Sequence, residues 1–445
     1  MLARVCLSFV LLAAVPAWTQ VEPSATGGSS VSDESAQMTT PPPVSGEAYS
    51  TTTGSEERSN YFGFGINVSP AYDDNVLSGS TSKPVGDVNY LISPSLTLDR
   101  TTARQHESVS YNPGFNLYQP TTALNSINQS VAVGYQYRLS PGMTVHLGDT
   151  FLQTSNIFNQ SPIFSGTGIS GSAQAPATTV IAPFAEQRSN TVNGSLSYQF
   201  SRDGMIGGGA NFSTFSFPNP SQAEGLYNSQ STGASAFFAR RLTDKQYVGV
   251  GYQYSRVFAY LPGAPIETQA HSFAPYYTFA VSRQVSFSVS GGVLHYSSVE
   301  TGTPTTAAWT PTASASVGWQ KSKSAFAASF SRSVSAGQGL VGAFTSTSVN
   351  GSGNWRLGRT WGVGVVGSYS RTKNAAESTD SSYPGGDTIS AGASLQHSIT
   401  ERINASVGYQ RLHENYSAIP AIATAPDSDR VYISISYQFS RPIGR

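Results

Sequence analysis

Apolar and polar side chains alternate at every second position along most of the chain from Tyr61 onward. The alternation recurs in runs of roughly 9 to 13 residues, separated by segments rich in Gly, Pro, Ser and Asn. In the last run, one set of positions holds Val431, Ile433, Ile435, Tyr437 and Phe439, and the other holds Tyr432, Ser434, Ser436 and Gln438. Successive side chains of a β-strand point to opposite faces, so the pattern predicts strands with one apolar, aromatic face and one small polar face.

The polar face determines which kind of sheet these strands form. Only 11% of the residues are charged, whereas an ordinary soluble domain has about 25%. A soluble sheet would turn a charged face to water and bury its apolar face in a core. A closed barrel in a membrane turns its apolar residues to lipid and its small polar residues inward, and closure satisfies every backbone group. We therefore predict an all-β fold, an antiparallel transmembrane β-barrel.

Short turns alternate with longer loops along this barrel, as in bacterial outer-membrane proteins, and we expect about eighteen strands. Sixteen is the alternative, because the first two hairpins and the strand near 346–357 have the weakest patterns. The predicted domain spans 61–439, and a short extension, 440–445, follows it. The expected strands lie near 61–73, 87–99, 105–118, 128–139, 143–154, 189–200, 205–217, 229–241, 246–258, 269–281, 285–297, 309–320, 325–335, 346–357, 360–371, 387–399, 403–413 and 429–439.

The N-terminal segment has the pattern of an export signal. Arg4 precedes an apolar stretch, Val5 to Val15, and small residues lead to a cleavage site after Ala17. Residues 1–17 are therefore expected to be a cleaved signal peptide. Residues 18–60 are rich in Ser, Thr, Pro and Gly and hold too few large apolar side chains to fold, so we expect a disordered leader. The expected location is the cell outer membrane of a Gram-negative bacterium.

Charge is segregated between the two ends of the predicted strands. The short turns hold thirteen basic and four acidic residues, whereas the long loops are mostly acidic or neutral. The formal net charge is zero, so the chain lacks the basic footprint of a nucleic-acid-binding protein. The expected partners are outer-membrane lipid and lipopolysaccharide. The placement of charges outside the strands has a simpler explanation, because charged residues avoid membrane-spanning strands, but this does not explain why the two signs are separated.

Four arginines follow an aromatic residue by two positions near the loop ends of their strands, and all four share the parity of the apolar side chains. Hypothetically, they bind lipopolysaccharide phosphates below the outer rim, since guanidinium groups bind phosphate bidentately. The alternative is that each is only a charged residue that ends a strand. These residues are Arg256, Arg332, Arg371 and Arg411.

The first expected strand ends in Asp73, Asp74 and Asn75. These residues could form a rim element that binds a divalent cation or a sugar, or they could simply be turn residues that tolerate tight backbone geometry. The six histidines show no metal-ligand spacing, and no catalytic constellation can be derived from a Ser-rich chain. We therefore expect no enzyme activity, no metal and no cofactor.

The last run ends its alternation on Tyr437 and Phe439, which resembles the signal that barrel-assembly machinery recognises on the final strand. The leader, the stretch Tyr72 to Val76 and the paired strands up to this aromatic residue together resemble the β-barrel porin 2 group of Gram-negative outer-membrane proteins. That resemblance implies an association with exopolysaccharide systems and a role in the passage of surface polysaccharide.

A barrel of eighteen strands is wide enough to enclose an aqueous lumen. The inward positions carry Gly, Ser, Thr, Asn, Gln and Tyr, which suits neutral hydrophilic solutes or neutral glycans. The expected function is therefore a porin-like pore for passive passage of such solutes or of surface polysaccharide. The alternative is a non-conducting barrel that acts as a structural or interaction protein through its external loops. The loop from Ser155 to Arg188 is a candidate for narrowing the pore.

Overall fold

The computed structural model describes residues 60–77, 83–155, 186–261, 265–282, 284–300, 305–337, 340–375, 385–417 and 427–443. The predicted signal peptide, nearly all of the leader and most of the loop proposed to narrow the pore lie outside these ranges. Eighteen strands are present, which confirms the predicted number and shows that the alternative of sixteen is wrong. The strands are β1 (Tyr61–Asp73), β2 (Asp87–Thr101), β3 (Gln105–Tyr118), β4 (Ser126–Ser140), β5 (Met143–Thr154), β6 (Gln187–Ser201), β7 (Gly204–Ser216), β8 (Ser229–Thr243), β9 (Gln246–Ala259), β10 (Ile266–Ala280), β11 (Val285–Glu300), β12 (Thr306–Lys321), β13 (Ser324–Gly337), β14 (Leu340–Leu357), β15 (Trp361–Asn374), β16 (Gly385–Ser398), β17 (Ile403–Ser417) and β18 (Asp427–Pro442).

The strands form one closed antiparallel barrel. Each strand pairs with its neighbours in the chain, and β1 pairs with β18 to close the sheet. At this seam Phe64 lies opposite Phe439, and Asp73 lies opposite Arg430. Closure leaves no free sheet edge, so the backbone groups of the first and last strands are satisfied within the protein.

The period-two pattern separates the two faces of the wall as predicted. On β1, Phe62, Phe64, Ile66 and Val68 are exposed on the outside, while the intervening side chains from Gly63 to Asp73 are buried on the inside. On β18 the same alternation exposes Val431, Ile433 and Ile435 and buries Ser434 and Ser436. The barrel is therefore apolar outside and small and polar inside.

Several strands are longer than the alternation alone indicated. The last strand, β18, continues to Pro442, three residues beyond the predicted boundary at Phe439, because Ser440, Arg441 and Pro442 still pair with the first residues of β1. Half of the expected extension 440–445 thus belongs to the wall. Similarly, β14 begins at Leu340, six residues before the strand expected near 346–357.

The connections distinguish two ends of the barrel. We call the end at which β1 begins, β18 ends and the connections are shorter the turn end, and the opposite end the loop end. Two connections at the loop end contain a single turn of 3₁₀ helix, at Thr122–Leu124 and Pro220–Gln222. No helix in the described part of the chain is long and apolar enough to cross a membrane.

Candidate functional site

The inner wall carries a repeated hydroxyl motif. Pairs of Ser or Thr side chains on neighbouring strands share hydrogen bonds on the inward face, with oxygen–oxygen distances of 2.5 to 3.2 Å. Each pair satisfies one hydroxyl proton and leaves oxygen lone pairs available to water or to a solute. The pairs are Ser213 and Ser231, Thr268 and Ser298, Thr278 and Ser288, Ser290 and Ser314, Ser331 and Ser348, Ser368 and Ser390, and Ser406 and Ser434.

The hairpin of β13 and β14 leaves this wall near the loop end. Pairing between β12 and β13 stops at Ala313 and Arg332. In the described part of the chain, residues 306–312 of β12 therefore have no partner on β13. Pairing between β14 and β15 begins at Phe344. Between these points the backbone of the tip pairs with itself, except that the Ala343 carbonyl accepts the Ala375 N–H at 2.9 Å. The register shifts between Ala336 and Gly337, as at a β-bulge. A bulge bends the strand that contains it and changes the direction of the strand. We call residues 333–337 and 340–343 the inner hairpin.

The inner hairpin leans across the interior of the barrel. Neighbouring strands are about 4.8 Å apart, so β9 and β13 would be separated by about 19 Å along the wall. Cα atoms of β13 nevertheless lie within 8 Å of Cα atoms of β8 and β9, and β14 approaches β9 and β10 in the same way. Because the wall curves away on the outside, these approaches are possible only through the lumen.

A small apolar cluster holds the inner hairpin against the inner face of β10 and β11. Ala343 packs with Ala270 of β10 and with Leu294 and Tyr296 of β11, all of which are buried. Phe344, where β14 rejoins the wall, is also buried. Ala270, Leu294 and Tyr296 lie on the inward face within six residues of the loop end of their strands. The loop end of the lumen is therefore narrowed by a strand hairpin.

Sequence reasoning missed this constriction and considered the loop 155–188 instead. The alternation of β13 and β14 is the same whether a strand lies in the wall or leans inward, so parity alone cannot reveal the hairpin. The segment between the two expected strands contains Leu340, Val341 and Phe344, but the loop 155–188 is also rich in apolar residues, so composition does not distinguish the two.

The acidic turn after β1 fastens the seam between the first and last strands. Asp73 is buried on the inward face and accepts hydrogen bonds from the Asn75 backbone N–H at 3.0 Å and from the Ser428 hydroxyl at 2.7 Å. Asp74 accepts the backbone N–H of Asp429 at 2.7 Å. Asn75 donates its side-chain amide to the Asp427 carbonyl at 2.7 Å. The three residues thus form hydrogen bonds within the turn and to β18.

Two of the four rim arginines are neutralised by neighbouring carboxylates. Arg256 forms two hydrogen bonds with Glu267, at 2.7 Å from Nε and 3.0 Å from the terminal nitrogen, and its guanidinium lies 4.6 Å from the centre of the Phe258 ring. Arg411 lies 3.4 Å from Asp429 and 3.5 Å from Asp427. These two side chains therefore already have counter-charges within the protein.

The other two arginines come together on the outside of the barrel. Arg332 and Arg371 line one shallow cleft of 320 Å³ with Lys373. Thr345, Thr347 and Tyr369 complete the lining. The structure thus divides the four predicted arginines into two paired residues and two that share a cleft.

The predicted assembly signal lies on the outer face near the turn end. Tyr437 pairs with Ile66 and Phe439 pairs with Phe64 across the seam. Both aromatic rings are exposed on the outside, and the Arg402 guanidinium lies 5.7 Å from the centre of the Phe439 ring.

No family model matches the chain. No curated protein matches it either. Among solved structures, it is similar to OccK2 (OpdF) of Pseudomonas aeruginosa, with 9% identity, a TM-score of 0.42 and coverage of 86% of this chain and 98% of that one. It is also similar to the FrpB iron transporter of Neisseria meningitidis, with 10% identity, a TM-score of 0.43 and coverage of 86% and 83%. These similarities assign no solute to this chain.

Proposed function

We propose that this protein is an outer-membrane channel for passive passage of small, neutral, hydrophilic solutes. The export signal in residues 1–17 would direct the chain across the inner membrane, and the barrel-assembly machinery would insert it. The turn end would face the periplasm and the loop end the cell exterior, which is the arrangement of bacterial barrels. The proposal assigns no catalytic step, metal or cofactor to the chain.

The hydroxyl-rich inner wall, on which charged side chains are few, is the observation that carries the proposal. Hydroxyl pairs such as Ser290 and Ser314 occur at several heights of the lumen, and their oxygens can exchange hydrogen bonds with water or a sugar at little cost. Selection of ions would require rings of like charge, which the inward positions of the strands do not supply.

The inner hairpin favours a channel that restricts the size of the solutes that pass. A lumen narrowed at its loop end favours small solutes over a polymer. Passage of surface polysaccharide, which the family resemblance implies, is the second candidate, and it requires the hairpin to move away from Leu294 and Tyr296.

Single-channel conductance of the protein purified from outer membranes tests the proposal. The protein is inserted into planar bilayers, and neutral oligosaccharides of graded length are added to one side. We expect stepwise conductance that short sugars reduce and long sugars do not. Block by long oligosaccharides would favour polysaccharide passage. A folded barrel without conductance would contradict the proposed channel function and favour the alternative of a surface interaction protein.

A further inference from the structure

The exposed basic residues near the loop end form a regular row across three strands. Arg332 of β13 pairs in register with Thr347 of β14, and Thr347 pairs with Arg371 of β15. One row closer to the loop end, Thr345 pairs with Lys373. All five side chains have outward parity, and they line the cleft described above. Because strands are about 4.8 Å apart, the two arginines lie about 10 Å apart across Thr347.

This basic cleft lacks the carboxylate partners of the other rim arginines. In the described part of the chain, no carboxylate oxygen lies within 4.0 Å of a side-chain nitrogen of Arg332, Arg371 or Lys373. Asp387 is the register partner of Arg371 on β16, yet the two do not form an ion pair. Within the described residues, three exposed cations face one carboxylate, which makes the cleft complementary to an anion, and guanidinium groups suit phosphate oxygens in particular.

An apolar groove lies directly below the basic cleft, on β13 to β15 and the neighbouring strand β12. It has a volume of 440 Å³, and Val317, Trp319, Phe326 and Val365 form its sides. Its floor contains Gly351 and Gly367, which are register partners. Gly351 lies four residues below Thr347, about 13 Å along β14. A cationic cleft and an apolar groove are thus aligned along the strand direction.

The position of the basic row matches the edge of an apolar membrane band. On the outer face of β15, Trp361 lies at the turn end and Tyr369 lies two residues below Arg371. The outward positions between Trp361 and Tyr369 hold only valine or glycine. Ten residues from Trp361 to Arg371 span about 33 Å of strand, or about 25 Å of height at a typical tilt, which is the height of the lipid-facing band in such barrels. Arg371 therefore stands where lipid phosphates begin.

We propose that this face of β13 to β15 binds one phosphorylated lipid of the outer leaflet. Arg332 and Arg371 would hold a phosphate group across Thr347, Lys373 would add charge from above, and one acyl chain would occupy the groove over Gly351 and Gly367. Lipopolysaccharide, a phosphorylated glycolipid, has this chemistry. The site depends on the outer-membrane placement proposed above, and it does not depend on whether the lumen conducts.

Two variants separate the contributions of the phosphate and of the acyl chain. The first is Arg332→Gln, Arg371→Gln, Lys373→Gln, which removes the charge while keeping polar side chains. The second is Gly351→Val, Gly367→Val, which fills the groove. An added Cβ at Gly351 meets no atom within 4 Å, and at Gly367 it meets only the Ser390 carbonyl oxygen at 4.0 Å. The matched control is Arg256→Gln, Arg411→Gln, which removes arginines that are already paired.

Lipid bound to the purified full-length barrel is measured by native mass spectrometry and by titration with lipopolysaccharide in detergent. We expect the charge variant to bind roughly 100-fold more weakly, from about a factor of five for each basic residue. The groove variant should also lose lipid, and the control should retain it. Inorganic phosphate, titrated separately, should bind the groove variant as weakly as it binds the unmodified protein.

The outcomes are distinguishable. Unchanged lipid binding in both variants would overturn the proposal. Loss in the charge variant alone would reduce the site to a phosphate site without an acyl chain, which also overturns it. Equal loss in the control would mean that general surface charge, and not this cleft, holds the lipid. Conductance, measured on the same samples, reports separately on the channel.

Discussion

Asp73 and Arg430 lie opposite each other across the seam that closes the barrel, and each is only 3% exposed. Both side chains are on the inward face, where β1 ends and β18 begins. Opposite charges at buried positions reduce the cost of removing each from water, provided that neither loses its partner. The pair and its hydrogen bonds therefore join the first and last strands of the chain at the loop end.

Asp73→Asn should destabilise the barrel strongly. The substitution removes the charge of the buried carboxylate that faces Arg430 and weakens the hydrogen bonds that this carboxylate accepts from the Asn75 N–H and the Ser428 hydroxyl. Losing a buried, charge-assisted hydrogen-bond acceptor typically costs about 1–3 kcal/mol. The midpoint of urea unfolding in detergent, followed by loss of the heat-modifiable band on gels, measures the effect. Asp74→Asn is the control, because Asp74 is exposed and accepts one backbone N–H, which the amide oxygen of asparagine can still accept; it should cost at most about 1 kcal/mol. Equal effects in the two variants would mean that the buried charge pair has no special role.

Releasing the inner hairpin should widen the channel. The double variant Leu294→Ala, Tyr296→Ala removes the side chains of β11 that pack against Ala343. We expect a larger single-channel conductance and block by longer neutral sugars, because the hairpin loses the contacts that hold it across the lumen.

Tyr276→Ala is the matched control for the hairpin. Tyr276 is also a buried, inward tyrosine, but it packs near the turn end with Met205 and Ala239. Its removal should leave the largest permitted sugar unchanged. If both variants raised the conductance equally, the increase would come from general loosening of the wall.

The sequence determines the number of strands and the two faces of the wall because both follow from local period-two alternation. It does not determine which residues meet across strands. Arg256 and Arg332 have the same local pattern, but register places Glu267 within reach of Arg256 and places Thr347 opposite Arg332. The inner hairpin escapes prediction for a related reason, since its packing on Leu294 joins strands that are not neighbours in the sheet.

One inward glycine lies so close to the backbone of the neighbouring strand that a side chain would not fit without a shift. A Cβ at Gly292 would lie 2.0 Å from the Phe273 carbonyl oxygen and 2.7 Å from the Ala274 Cα, so the pairing of β10 and β11 would have to shift. Gly292→Ala should therefore lower the free energy of unfolding by about 1–3 kcal/mol.

Gly351→Ala is the comparison for Gly292, because its Cβ would enter open space. We expect it to be neutral or slightly stabilising, since alanine loses less conformational freedom than glycine on folding. Urea midpoints for both variants in one detergent provide the measurement. A loss of stability in Gly351→Ala as large as that in Gly292→Ala would show that steric contact is not the cause.

Phe439→Ala should reduce insertion into the outer membrane more than it reduces intrinsic folding. Phe439 is exposed on the outer face and lies near the end of the last strand, where a recognition factor could contact it before closure. After closure its backbone still pairs with Phe64, and three further residues continue the seam. We therefore expect less folded barrel in cell membranes, while the yield of refolding from urea into detergent stays near that of the unmodified protein. Val431→Ala, on the same strand and face but at the loop end, should leave both yields unchanged. A parallel loss of refolding in Phe439→Ala would show that the ring acts by packing at the seam, and normal yields in cells would exclude it as an assembly signal.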